Sequence, residues 1–215
     1  MLNNINYNKQ DGYIYNCIKT LIININIIII ALFAIIIIIY KSDKLYIKGL
    51  FTLIFLQFWS YFIHKYAHSD RKSYIYYLHS FHHLSSCKNT INKNCSELFL
   101  NLVLIGGGII IPLNIMIMYY FNFELFNNYI ILFWLLEYTE YHIFNYHILN
   151  SPTHKQHHSI DENPNKTCTN YGPDWMDILF ETKCDIDVFE DYTSSIFNTI
   201  INLIIILLLL IYYYK

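Results

Sequence analysis

His64–Lys65–Tyr66–Ala67–His68 and His79–Ser80–Phe81–His82–His83 form one window of this chain. His142–Ile143–Phe144–Asn145–Tyr146–His147 and His154–Lys155–Gln156–His157–His158 form a second. Together the two windows hold all ten histidines of the 215 residues. Imidazole is the commonest side-chain ligand for zinc, copper, iron and nickel. Scattered histidines would leave strays elsewhere, and there are none. Long apolar runs flank both windows, which implies a membrane protein built to hold metal.

Composition agrees with that reading. Apolar residues make up 55 % of the chain and charged residues 14 %, with a mean hydropathy of +0.30. Ile, Asn, Tyr and Lys are over-used throughout, so single residues of these types carry little information. A net charge of −2, with no Lys/Arg block, gives no reason to expect nucleic acid as a partner. The five cysteines are odd in number and form no C-x-x-C, which argues against a disulfide framework and against a zinc finger. The sequons at Asn94 and Asn165 lie on the histidine-bearing side, expected to be cytosolic, so neither should be glycosylated. About 18 fairly polar residues precede the first apolar run, which reads as a retained anchor, not a cleaved signal.

A membrane-spanning helix needs about 20 mostly apolar residues. Five stretches approach this: Leu21–Tyr40, Tyr46–Ile63, Leu98–Tyr120, Asn128–Tyr141 and Ile196–Tyr214. Asn24 and Asn26 interrupt the first. Gly106–Gly107–Gly108 and Pro112 soften the third, so the third and fourth could form a hairpin that does not fully cross. For the glycine run itself, close helix packing is the default expectation. The two histidine windows must share one side of the membrane to meet. Arg71, Lys72, Lys88 and Lys93 in the loop Ser69–Glu97 place that side in the cytosol by the positive-inside rule, although Lys41, Lys44 and Lys48 face them from the opposite loop. The expected fold is therefore an all-α integral membrane bundle of four to five apolar helices, with a cytosolic histidine-rich cap.

On a helix, residues four apart share a face. His64 and His68 can thus grip one ion, and so can His79, His82 and His83 or His154, His157 and His158. His142 and His147 are five apart, roughly 140° off register, and need a helix end or a π-bulge. Ten imidazoles exceed what one metal accepts, and two metals is the natural count. The absence of E-x-x-H and H-E-x-x-H argues against the soluble di-iron bundles and the zincin peptidases.

The order H-x-x-x-H, H-x-x-H-H, a third histidine pair and a second H-x-x-H-H resembles the fatty acid hydroxylase superfamily. Asn170–Tyr171–Gly172, then Asp177–Ile178–Leu179–Phe180 and Thr182, resemble its tail, with Met176 and Glu181 departing from the usual Trp and Gly. The likeness runs over roughly 58–182. It implies a polar N-terminal segment at 1–20, a hydroxylase-like membrane domain at 21–195 and an additional C-terminal helix at 196–215. It also implies that His64, His68, His79, His82, His83, His142, His147, His154, His157 and His158 hold two iron ions, with zinc able to replace them. O2 would be the co-substrate, and a C–H bond of a sterol or fatty acyl chain would become an alcohol or an alkene. Glu137, Glu140, Asp161 and Asp177 are candidates to orient the ligands. No haem-binding or nucleotide motif is present, so electrons would come from a separate donor such as cytochrome b5 and its reductase. The expected location is the endoplasmic reticulum. The alternative is a membrane metal-binding or transport protein without oxygen chemistry; transport would place ligands along the membrane path, whereas these lie at helix ends and in loops.

Metal-ligating histidines must be neutral, so bound metal should be lost as pH falls below about 6.5. Metal content after dialysis across a pH series checks this, and full retention well below that pH contradicts it.

Overall fold

A computed structural model describes residues 5–70, 72–83, 108–141, 151, 153, 157, 170–184, 188–190 and 196–213. Among these residues the chain is mainly helical: α1 (Tyr13–Ile23), α2 (Ile25–Lys41), α3 (Tyr46–Ser69), α4 (Tyr74–His83), α5 (Ile110–Phe121), α6 (Asn128–Tyr141), α7 (Asp174–Leu179) and α8 (Ile196–Tyr213). The one sheet among the described residues is a two-residue antiparallel pair of β1 (Ile5–Asn6) and β2 (Val188–Phe189), with Ile5 opposite Phe189. Two compact units share the chain, one of residues 1–37 and 140–215, the other of residues 38–139. The N-terminal segment and the C-terminal helix thus fall within one unit.

In the first unit, Asn8 caps a short 3-10 turn by accepting the Gln10 N–H at 3.0 Å. Gly12, at φ +89°, then turns the chain into α1, a backbone conformation that costs glycine little. α1 packs on α7, and Tyr7 meets Phe189 edge to face at 5.5 Å beside buried Ile178. A buried ion pair underlies this patch. Lys183 Nζ lies 2.6 Å from Asp174 Oδ1, while Asp174 Oδ2 accepts the Glu190 N–H at 2.7 Å. Both charges are therefore compensated in a place where an unpaired one would be very costly. Cys184 is fully buried and disulfide-bonded. The odd cysteine count argued against a disulfide framework, but it did not exclude a single bridge.

The second unit is clamped at the start of α3. Asn127 Oδ1 accepts the N–H groups of Tyr129 and Ile130, which makes it the N-cap of α6. Its backbone N–H reaches Thr52 Oγ1 at 2.9 Å, and its Nδ2 reaches Ser42 Oγ at 3.0 Å. Lys48 pairs with Asp43 and, at 2.6 Å, with Glu124. Asn114 exchanges hydrogen bonds with the Phe126 backbone and donates to Asn128 Oδ1, which ties α5 to α6. Below this clamp, Phe126 stacks on Phe51 and lies 4.7 Å from Phe55. Gly49 lets α3 approach closely, since a Cβ there would meet Ile39 Cδ1 at 2.5 Å.

These helices are partly inside-out. Thr52, Ser60, Asn114 and Asn202 are buried, while Ile47, Ile54, Leu207 and Leu208 are exposed. That arrangement suits a lipid environment, where polar groups must find partners inside the protein.

A bundle of four to five apolar helices was expected, and the described residues show one or two able to cross a membrane. α3, with 24 residues or about 36 Å, is the one helix long and apolar enough by itself to cross a membrane. Leu21–Tyr40 is not one straight helix. It is broken at Asn24, and α1 and α2 meet at 71°, so they add a second span only if taken together. The cause is a side chain: Asn24 Nδ2 donates to Thr20 O at 3.1 Å and to Glu190 O at 2.9 Å. α5 and α6 are described over 12 and 14 residues, and the expected third and fourth segments extend or adjoin residues outside the described ones, where the partial hairpin falls in part. The turn between the two helices begins with Asn122 in the left-handed region at φ +51°. Gly108 lies in a turn just before α5, so the described end of the glycine run is a break and not part of a packed helix. In α8 the described apolar stretch is Ile200–Tyr212.

Asn127→Ala should cost about 2–3 kcal/mol, because it removes an N-cap and strands a buried partner. Asn127→Asp keeps the cap but loses the donors and should fall between. Thermal unfolding in detergent measures both, and an Ala variant as stable as the parent would show that the clamp is dispensable.

Candidate metal centre

The site in the second unit begins with a turn. α3 ends at Ser69, and Asp70 takes extended angles (φ −115°, ψ 94°) that no longer continue the helix. Its Oδ1 accepts the Lys72 N–H at 3.0 Å, and its carbonyl accepts the Ser73 N–H at 3.0 Å. Ser73 Oγ then accepts the Tyr76 N–H at 3.0 Å, an N-cap on α4. This tight reversal packs α4 against α3. His79 is thereby brought to the same place as His64 and His68, which stand one turn apart on α3.

Ring centroids are 5.2 Å apart for His64 and His68, 4.8 Å for His64 and His79, and 4.6 Å for His68 and His79. One ligand nitrogen from each of the three lies within 4.8 Å of the others. His68 Nε2 and His79 Nε2 are 2.9 Å apart, close enough for one ring to donate to the other. Two imidazoles on one tetrahedral zinc, with metal–nitrogen distances of about 2.1 Å, would put their nitrogens roughly 3.4 Å apart. The three rings therefore fit a shared cation with small adjustments. An all-nitrogen, neutral donor set selects a borderline transition metal over calcium or magnesium. His79 is buried and the other two are half-buried, so little water competes for the site.

His82 and His83 continue α4, and their side chains lie outside the described residues, as does that of Glu140 on α6. His142, His147, His154, His158 and Asp161 lie outside them altogether. Glu137 is buried on α6.

In the first unit, His157 is buried, with its ring 6.1 Å from Tyr171 and nearly perpendicular to it. The Tyr171 backbone is held by Asp177. Oδ1 of that carboxylate accepts the Tyr171 N–H at 2.8 Å and the Thr182 hydroxyl at 2.6 Å, and Oδ2 accepts the Gly172 N–H at 3.1 Å. Asp177 thus organises the loop that carries Tyr171, and it bears on His157 through that ring. Complete burial pushes its carboxyl up to about 7, against the pull of the Thr182 hydroxyl, the Lys183 charge and the Gly172 N–H. A folded pKa above the unfolded one means that the native state holds the proton more tightly. This group's stabilising contribution is then full below about pH 4 and fades as pH rises through about 7.

Sequence reasoning overlooked Asp70, Ser73, Asp174 and Lys183, and it quoted Tyr171 only as part of the tail motif. A signal existed for the first two, since Asp and Ser three apart between helical runs mark a turn and cap. Nothing local marked the Asp174–Lys183 pair, whose partners are nine residues apart on a short helix and the loop after it.

Ser73→Ala should cost about 1 kcal/mol and weaken metal binding by loosening His79 against α3, while Ser73→Thr should largely restore both. Metal titration beside thermal unfolding reads the two effects. Unchanged affinity in a destabilised Ala variant would separate the cap from the site.

Among known proteins, the family model described as "Fatty acid hydroxylase" matches residues 49–182, more than half of the chain. That range begins in α3 and ends at Thr182, enclosing both histidine windows. Neither the curated proteins nor the solved structures give a significant match. The chain belongs to the fatty acid hydroxylase family, a membrane-associated and typically metal-dependent family of oxidative enzymes.

Proposed function

We propose that this protein is a membrane-bound, O2-dependent enzyme that hydroxylates or desaturates a C–H bond of a lipid, either a sterol or a fatty acyl chain. The observation that carries the reading is the cluster of three imidazoles at the end of α3, the helix able to cross a membrane. A catalytic centre at that position can meet a lipid that never leaves the bilayer. Three nitrogens do not satisfy two metals, so His82, His83 and the five histidines of the second window, including buried His157, provide the remaining ligands. Iron bound there supplies the activation of O2 and the oxidising power; zinc would occupy the same ligands without that chemistry.

The chain's own residues bind, orient and shield. His64, His68 and His79 must each present a deprotonated nitrogen, which fixes the proton on the other ring nitrogen. Glu137, Glu140 and Asp161 are the carboxylates assigned to accept those outward N–H groups. Asp177 acts at one remove, through the Tyr171 loop. Electrons come from a separate donor such as cytochrome b5 and its reductase. The centre faces the cytosol, and the protein resides in the endoplasmic reticulum.

Expression in a lipid-producing host, followed by untargeted sterol and fatty-acid profiling, tests this. The wild type should generate a new oxygenated or unsaturated lipid that a His157→Ala, His158→Ala variant does not. Absence of any such product with iron bound and a competent reductase present would overturn the enzyme reading and favour a metal-binding or transport role. A stoichiometry near one metal per chain would overturn the dinuclear centre.

A further inference from the structure

α1 buries its polar face and exposes its apolar one. Asn16, Thr20 and Asn24 recur one turn apart and are all buried. Asn16 Nδ2 donates to Asn8 O, Thr20 Oγ1 to Cys17 O, and Asn24 Nδ2 to Glu190 O, all within the first unit. At 100° per residue, Ile14, Ile18, Leu21 and Ile22 lie roughly 140–240° around the helix from Asn16. They are 72, 50, 48 and 64 % exposed. No charge interrupts this stripe, and Lys19, the one charged residue of α1, lies over the Tyr15 and Phe189 rings at 5.6 and 5.0 Å.

Three observations identify what covers the stripe. It continues in the chain into the exposed apolar face of α2, formed by Ile29, Leu32, Phe33 and Ile36. The 71° bend at Asn24 means that, if α2 stands along the membrane normal, α1 lies within about 20° of the membrane plane. Exposed Tyr13 and Tyr15 at the start of α1 are the residue type that gathers at the membrane–water boundary. We propose that α1 is an in-plane helix seated on lipid, with the Ile14–Ile22 stripe in the acyl boundary, and that the first apolar run is therefore not a straight span. Through its buried face α1 packs on α7, so it holds the Asp177 loop at the bilayer surface. The inference rests on the membrane reading made above, and the test separates the two.

Single tryptophans are introduced at Ile14, Ile18 and Ile22, with Phe33→Trp and Ile54→Trp as references on α2 and α3. These positions are exposed, so the substitutions leave packing intact. Full-length protein is placed in phosphatidylcholine vesicles brominated either near the headgroup or deep in the chain, and the signal of the parent's own tryptophans is subtracted. The three α1 sites should lose fluorescence to a similar degree, and more to shallow than to deep bromine, while Phe33→Trp and Ile54→Trp respond to both or chiefly to deep bromine. Depth that increases steadily from Ile14 to Ile22 would overturn the proposal in favour of a straight span. No quenching on α1, with both references quenched, would overturn it by showing the stripe covered by protein, such as a second copy. No quenching at any site would overturn the membrane reading as well.

Discussion

A helix of 24 residues, held by side-chain hydrogen bonds where it begins and carrying two imidazoles one turn apart where it ends, is the constraint on which the second unit depends. At the start of α3, Lys48 is paired with Asp43 and Glu124, and Thr52 receives the Asn127 N–H. Near the other end stand His64 and His68, about 24 and 30 Å from Lys48 by helix rise. Because the clamp prevents the helix from sliding or rotating, the histidines keep their position. His79 can then be brought to them by a turn of only a few residues.

The first unit meets a different problem, that of carrying charge in a dry interior. Asp174 and Lys183 neutralise each other, and the Glu190 backbone satisfies the second Asp174 oxygen. Asp177, a few residues away, has no such ion pair at hydrogen-bond distance and is held by two N–H groups and a hydroxyl. Those donors shape the loop around Tyr171, against which His157 packs. Stability and site geometry are linked here, since removing either aspartate would leave donors buried without their acceptor. Polar residues in the helices follow the same rule: Asn16, Asn24, Asn114 and Asn127 are all used to satisfy backbone or side-chain groups inside the protein.

Much of the centre was legible in the chain itself. His64 and His68 are four residues apart, and helical periodicity alone places them together. The start of α6 at Asn128 matches that expected from its apolar run. The number of full spans was less legible, because an apolar stretch reports hydrophobicity and not direction. Leu21–Tyr40 is apolar from end to end except for Asn24 and Asn26, yet one of those asparagines bends it through 71°. Its partner, the Glu190 carbonyl, is 166 residues away and invisible to any local reading.

Spacing and composition by themselves determined that this chain is helical, apolar and equipped with imidazoles in register, because helix period and ligand chemistry are local properties. Which rings meet was decided by tertiary structure. His79 reaches His68 only because Asp70 ends one helix and Ser73 caps the next, and Asp177 serves a loop only because its donors fold back onto it. Those outcomes depend on buried polar groups finding partners far along the chain. Desolvation enforces that requirement in three dimensions, and the order of residues does not display it.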